Sequence, residues 1–376
     1  MSSLLFSNFA SFGVCLALLA TLAIVRGYSA YLVFFLLLHC FLPFLTNHVL
    51  FDPSYMPDQF QYLMQVRNLR QLDFTIVVGT PVYVAAWLFF LIPMPSYHTV
   101  VDTSFASTFV YLLLFDYLYA KRYLSRMSLV FMLGYPSLAL YSATGLRDTF
   151  IVAFMLLAMI AIFRSRWIRA LLFLAALFTI KFENTFILVA SLPSLLVLKL
   201  SRLPRLLRII LLLVGFVAGL LAFGDLVLTD INVYRQALYA EDGGQGIIGG
   251  FAGPLDLLRV GLVSGIYFFI KPLPWDASGS LQFVQAVENL LVTGFMVYLF
   301  FRSKASFEKK TFLLLALAMF CFVFGVIVFN FGTASRYRFP AILTTIVLLE
   351  SPLEMKVFGR RPQPAAEAPA PVAVEA

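Results

Sequence analysis

Apolar stretches of membrane length recur along the whole chain, and nothing else in the sequence restricts its folding so strongly. They lie at about 4–25, 28–46, 74–94, 101–120, 128–144, 149–163, 168–180, 185–198, 209–228, 281–301, 311–330 and 338–350. Roughly 20 apolar residues in a helix span the hydrocarbon core of a bilayer. Composition supports the same solvent: 61% of the residues are hydrophobic and 12% charged, whereas globular chains carry about 25% charged residues. A soluble domain, a disordered chain and a disulfide framework are excluded. The expected fold class is an all-α polytopic membrane protein with about 10–12 transmembrane helices. One membrane domain covers 1–361, and a Pro- and Ala-rich tail at 362–376 reads as a disordered cytoplasmic end.

The net charge of +8 is unevenly placed. Basic residues cluster at Lys121, Arg122 and Arg126; at Arg164, Arg166 and Arg169; at Lys199, Arg202, Arg205 and Arg208; at Arg302, Lys304, Lys309 and Lys310; and at Lys356, Arg360 and Arg361. The positive-inside rule makes these loops cytoplasmic. Acidic and mixed loops fall on the opposite face, with 47–73 and 229–280 as the main outer segments. Two places strain this topology. Three apolar stretches separate the basic loops at 199–208 and 302–310, so 255–270, with Asp256, Arg259, Gly261 and Gly265, is expected to be interfacial or re-entrant. Two apparent crossings, 74–94 and 101–120, also join an outer loop to a basic one, which parity forbids.

Charged groups in or beside membrane segments are costly and mark function by default. Five outer-face groups qualify. The first holds Asp52 and Asp58, followed by Tyr62 on a short interfacial helix at 59–71; Asp58 reads both as an N-cap boxed with Gln61 and as a reactive carboxylate. In the second, Pro136 and Ser137 lead to Gly145, Arg147 and Asp148, where the arginine suits bidentate anion binding and the adjacent pair equally suits capping. The third is Lys181, Glu183 and Asn184, with an internal Lys181–Glu183 ion pair as the simpler reading. Fourth, Arg235 precedes Gly246 in a glycine-rich loop that lacks a Walker lysine. The fifth runs from Asn330 through Arg336, Tyr337 and Arg338 to Pro340, which is expected to start the next helix; two arginines on alternate residues could hold an anion or act as snorkelling anchors.

Other engines are lacking in the sequence. Cys15, Cys40 and Cys321 sit in apolar runs and read as packing residues. His39, His48 and His98 are dispersed without zinc-ligand spacing; His39 reads as a packing residue, and His48, beside the Asp52 loop, could exchange protons. Nothing points to nucleic acid.

The order of an outer loop with Asp and a following Tyr, then Pro-Ser, Ser and Arg-Asp, then a last outer Arg-Tyr-Arg-x-Pro resembles bacterial GT-C-type membrane glycosyltransferases. It is also similar to the polymerases of O-antigen and exopolysaccharide pathways, and the Arg-x10-Gly spacing of Arg235 and Gly246 occurs in the former. The resemblance implies a GT-C-like bundle with interfacial helices on the periplasmic face of a bacterial inner membrane. It implies a polyprenyl-phosphate-linked sugar as donor and a glycan or lipid-linked acceptor, in cell-envelope glycan biosynthesis. Carried onto this chain, Asp58, or else Asp52, is the catalytic carboxylate, and Arg147, Arg336 and Arg338 bind the phosphate. Tyr62, Asp148, Lys181, Glu183 and Arg235 complete the candidate substrate contacts. Two helices in place of one precede the first outer loop, and no Asp-x-Asp is present, which leaves the base and the use of a divalent metal open. A transporter or flippase of a lipid-linked anion is the competing class, and a non-enzymatic envelope subunit a third.

Overall fold

The apolar runs are helices in the computed structural model, which describes residues 2–47, 49–73, 81–200, 202–241 and 247–355; no strand occurs among them. In chain order the helices are α1 (Ser2–Arg26), α2 (Ala30–Thr46), α3 (Asp58–Arg70), α4 (Pro81–Phe90), α5 (Val100–Ala120), α6 (Arg126–Gly134), α7 (Pro136–Ser142) and α8 (Asp148–Phe163). There follow α9 (Trp167–Ile180), α10 (Phe182–Ser191), α11 (Ser194–Lys199), α12 (Arg205–Glu241), α13 (Pro254–Ile270), α14 (Ser280–Arg302), α15 (Phe307–Ile327) and α16 (Phe331–Glu350). Six described stretches are long and apolar enough to cross a bilayer: Asn8–Arg26, Val100–Ala120, Phe182–Lys199, Arg205–Ala240, Ser280–Arg302 and Phe307–Ile327. The chain is thus an all-α polytopic membrane protein. The tail at 362–376, with Lys356, Arg360, Arg361 and His48, lies outside the described residues.

Burial sorts the helices into layers. Nearly every residue of α8 is buried, and α16 is buried from Arg338 to Leu349, so these two form the centre of the bundle. By contrast, α12 is buried over only 11% of its most apolar window and presents Leu206, Leu213, Leu221 and Leu226 outward. An apolar helix facing lipid needs no amphipathic stripe, because both of its surroundings are hydrocarbon.

Pairwise bonds give the helix directions. Ser11 donates to Asp102 at 2.8 Å, Cys15 to the Phe105 carbonyl at 3.4 Å, and Arg26 to Asp116 at 2.9 Å, so α1 and α5 run parallel. Asn47 donates to Ser104, and the His39 ring stacks on Tyr111 at 4.6 Å, so α2 returns antiparallel. His39 also bonds the Leu133 carbonyl, in keeping with a packing role. The end of α2, the start of α5 and α3 therefore share one face, opposite the basic loop after α5.

The parity conflict between 47–73 and 121–127 disappears because the chain leaves α3 at Asp73 and is beside α3 again at Met94 and Pro95. The described residues between these points include the helix α4, Pro81–Phe90. After it the chain turns back to α3. Arg67 donates to the carbonyls of Tyr97 and His98, and Arg70 to those of Met94 and Pro95.

Three further segments differ from the sequence reading. Residues 229–241, expected as loop, are the last turns of α12, whose 37 residues extend about 55 Å; Ile231, Tyr234 and Leu238 recur at helical spacing and pack on the core. The 255–270 stretch is an unbroken helix whose glycines are contact points. A Cβ on Gly261 would meet the Phe322 ring at 2.4 Å, and one on Gly325 would meet the backbone of Ser264 at 2.6 Å. Small residues let α13 and α15 approach closely, which in lipid gains dispersion contact where the hydrophobic effect gains nothing. Finally, Pro340 does not start a helix. Asn330 caps α16, its side chain accepting from the Thr333 amide, and Pro340 sits inside that helix.

Candidate functional site

The turn between α7 and α8 presents Arg147 and Asp148, and three elements fix it. Thr46 of α2 donates to the Ala143 carbonyl at 2.9 Å; Thr108 and Ser107 of α5 donate to the carbonyls of Ser142 and Leu146. Gln59 of α3 accepts the Gly145 amide at 2.9 Å. Gly145 is pressed against α5 so closely that a Cβ would lie 2.2 Å from the Thr103 hydroxyl. The serine- and threonine-rich first half of α5 thus serves as the platform for this turn.

On that platform three charges converge from distant parts of the chain. Asp58 opens α3, Asp148 opens α8, and Arg336 lies in the second turn of α16. The Arg336 Nη1 donates to Asp58 Oδ2 and its Nε to Asp148 Oδ2, both at 2.9 Å. Asp58 is therefore not the boxed N-cap: Pro57 occupies that position without a side-chain bond, and the carboxylate turns to Arg336 instead. The two acids differ in access. The Asp58 side chain is 43% exposed and that of Asp148 only 3%. Asp148 also stands at a helix N-terminus, where free amides favour negative charge. Asp148 holds Arg336 from the buried side, and Asp58, whose Oδ1 makes no hydrogen bond among the described residues, is the more exposed of the two.

Tyr62, one turn along α3 from Asp58, lies buried among the charges of Arg147, Arg336, Asp58 and Asp148; burial pushes its phenol up to about 12, so it stays protonated. The Arg147 guanidinium is only half-buried and makes no hydrogen bond or ion pair among the described residues. Its charge reaches Tyr62 on one side and Tyr234 on the other.

The second side is the Lys181 group. Lys181 Nζ pairs with Glu183 Oε1 at 3.0 Å, as the simpler reading had it, and the Tyr234 hydroxyl donates to the same oxygen at 2.5 Å. The ammonium also lies 4.0 Å from the centre of the Tyr337 ring, a cation–π contact. Tyr234 was missed because 229–241 looked like loop; the 231, 234, 238 spacing was the available signal. Gln59, likewise missed, carries no sequence signal, since its role depends on a turn 86 residues away.

Three candidates stand elsewhere. Arg338 is not an anion ligand beside Arg336. In a helix, residues two apart point to different sides, and Arg338 is buried, donating to the carbonyls of Phe268, Phe269 and Lys271 at the end of α13 and to the Asn289 side chain. It satisfies carbonyls that a helix C-terminus leaves unpaired. Arg235 donates to the Gly249 carbonyl and stacks over Phe251; its partner in the Arg-x10-Gly spacing, Gly246, lies outside the described residues. Asp52 caps the 3-10 turn Pro53–Tyr55 and accepts from the Ser54 amide and hydroxyl. Cys15, Cys40 and Cys321 are buried free thiols.

Among the described residues no three His, Cys, Asp or Glu side chains gather as metal ligands. The place a divalent ion would take between Asp58 and Asp148 is filled by the Arg336 guanidinium, so the arrangement does not fit such an ion. Among the described residues it offers one accessible carboxylate, one guanidinium without a partner, and a second guanidinium whose Nη2 makes no hydrogen bond. No family model, curated protein or solved structure matches this chain.

Proposed function

We propose that the outer-face cluster transfers a sugar from a polyprenyl-phosphate donor to a hydroxyl of a glycan or lipid-linked acceptor. The observation that carries this reading is the convergence of Asp58, Asp148 and Arg336 beside Arg147, which has no partner among the described residues, on the face opposite the basic loops. In this scheme the acceptor oxygen attacks the anomeric carbon and the carbon–phosphate-oxygen bond breaks. The acceptor proton passes to Asp58, and the electron pair leaves on the lipid phosphate. Arg147 and the Nη2 side of the Arg336 guanidinium neutralise that phosphate, while Asp148 keeps Arg336 in position. A positioned base contributes typically about 10²–10⁴-fold, and a charge aimed at the leaving group roughly 10²–10³-fold. The protein would sit in a bacterial inner membrane with its basic loops in the cytoplasm.

The test uses purified protein in proteoliposomes with a labelled polyprenyl-phosphate sugar and a hydroxyl acceptor. Asp58→Asn and Arg147→Ala should each lower transfer by about a hundredfold or more, with unchanged gel-filtration profiles. Arg147→Lys should recover part of the loss. Undiminished transfer in Asp58→Asn ends the proposal. Transbilayer movement of the donor without bond formation would mark a transporter of the lipid-linked anion instead.

A further inference from the structure

Beyond the end of α4, a gap remains between α5, α8 and α9. A cavity of about 660 Å³ fills that gap, lined at its outer end by Leu88, Leu91 and Ile92 and walled by apolar side chains. Its other end is lined by Arg164, Arg166 and Arg169. None of the three pairs with a carboxylate among the described residues; the Arg164 guanidinium lies over the Tyr123 ring at 4.9 Å, and Arg166 and Arg169 are exposed. From Phe150 to Arg164, both lining the groove, α8 rises about 21 Å. That is half of a bilayer including its headgroups.

We propose that this groove binds one anionic phospholipid of the leaflet at the basic face, with its phosphate on Arg164, Arg166 and Arg169. Charge complementarity selects the anion, because basic pockets between membrane helices hold such headgroups. Length selects the source. A groove one leaflet deep that ends at Leu88, Leu91 and Ile92 takes an acyl chain, whereas a polyprenyl chain would have to pass that end. The site is separate from the outer-face cluster, so it stands whether or not that cluster transfers sugars.

Purified full-length protein is reconstituted in nanodiscs of equimolar phosphatidylglycerol and phosphatidylcholine, and the lipids retained after transfer to detergent are measured by native mass spectrometry. We expect at least about tenfold enrichment of one phosphatidylglycerol per protein, given the contribution of each arginine near an anionic surface. The enrichment should vanish in Arg164→Gln/Arg166→Gln/Arg169→Gln and persist in Arg302→Gln/Lys304→Gln/Lys310→Gln, which removes a different basic loop. Leu113→Trp, at a partly exposed groove position, should reduce retention of the lipid without touching charge. Equal retention of both lipids by the natural protein overturns the proposal. So does an equal loss in both charge variants, which would indicate diffuse attraction, and so does displacement of phosphatidylglycerol by added decaprenyl phosphate.

Discussion

Arg336 bridges two carboxylates at the same distance, and the structure predicts that the two halves of the bridge are energetically unequal. Breaking a buried ion pair typically costs about 3–5 kcal/mol, since it leaves an uncompensated charge out of water; an exposed pair contributes about 0–1 kcal/mol. Asp148 is 3% exposed and Asp58 is 43% exposed. A double-mutant cycle of Arg336→Met with Asp148→Asn should therefore give a coupling of about 3 kcal/mol, and one with Asp58→Asn about 1 kcal/mol or less. Reversible unfolding of the purified protein in mixed micelles reads both cycles. Asp148→Asn with Arg336→Met together should be more stable than Arg336→Met alone, because no buried charge is then left unpaired. The reasoning is refuted by equal couplings, or by a larger coupling for Asp58. By the same inequality Asp58→Asn should unfold close to the natural protein.

Three other outcomes follow from particular contacts. Gly145→Ala places a methyl group 2.2 Å from the Thr103 hydroxyl, displacing the turn that carries Arg147 and Asp148; a loss of about 1–3 kcal/mol is expected, partly recovered by Thr103→Ala in the same unfolding assay. Arg338→Met strips buried carbonyls of α13 of their donor and should cost about 3 kcal/mol or more, seen as loss of folded protein in gel filtration and not as a selective loss of turnover. For Tyr62 the folded phenol, pushed up to about 12, lies above the unfolded value of about 10. The folded state thus holds the proton longer, and the resulting stability is present below pH 10 and lost as pH rises from about 10 through 12. Tyr62→Phe should remove that alkaline loss, as measured by micellar unfolding between pH 9 and about 12.

Much of the site's residue list was legible one residue at a time. A charge beside a membrane segment is expensive wherever it sits, and that alone singled out Asp58, Arg147, Asp148, Lys181 and Arg336. Their grouping was not legible. Asp58 and Arg336 are 278 positions apart, and no spacing rule connects them. Arg338 shows why a motif can mislead. Read as a loop, Arg-Tyr-Arg places two guanidinia side by side; read as helix, it sends Arg336 to the outer cluster, Tyr337 to Lys181 and Arg338 into the end of α13. Which reading holds depends on the Asn330 cap, whose bond to Thr333 sets the helix in phase.

By itself the sequence determined the solvent, the helical class and the two faces, because hydropathy and loop charge are sums over neighbouring residues and need no partners. Tertiary structure decided how far each apolar run reaches and what each polar group meets. The return of the chain to α3 after α4, the continuation of α12 past its apolar stretch, and the guanidinium shared by Asp58 and Asp148 all depend on contacts between segments far apart in the chain. In lipid, where apolar surface does not distinguish a neighbour from solvent, those few polar contacts and close glycine approaches fix which helix packs on which.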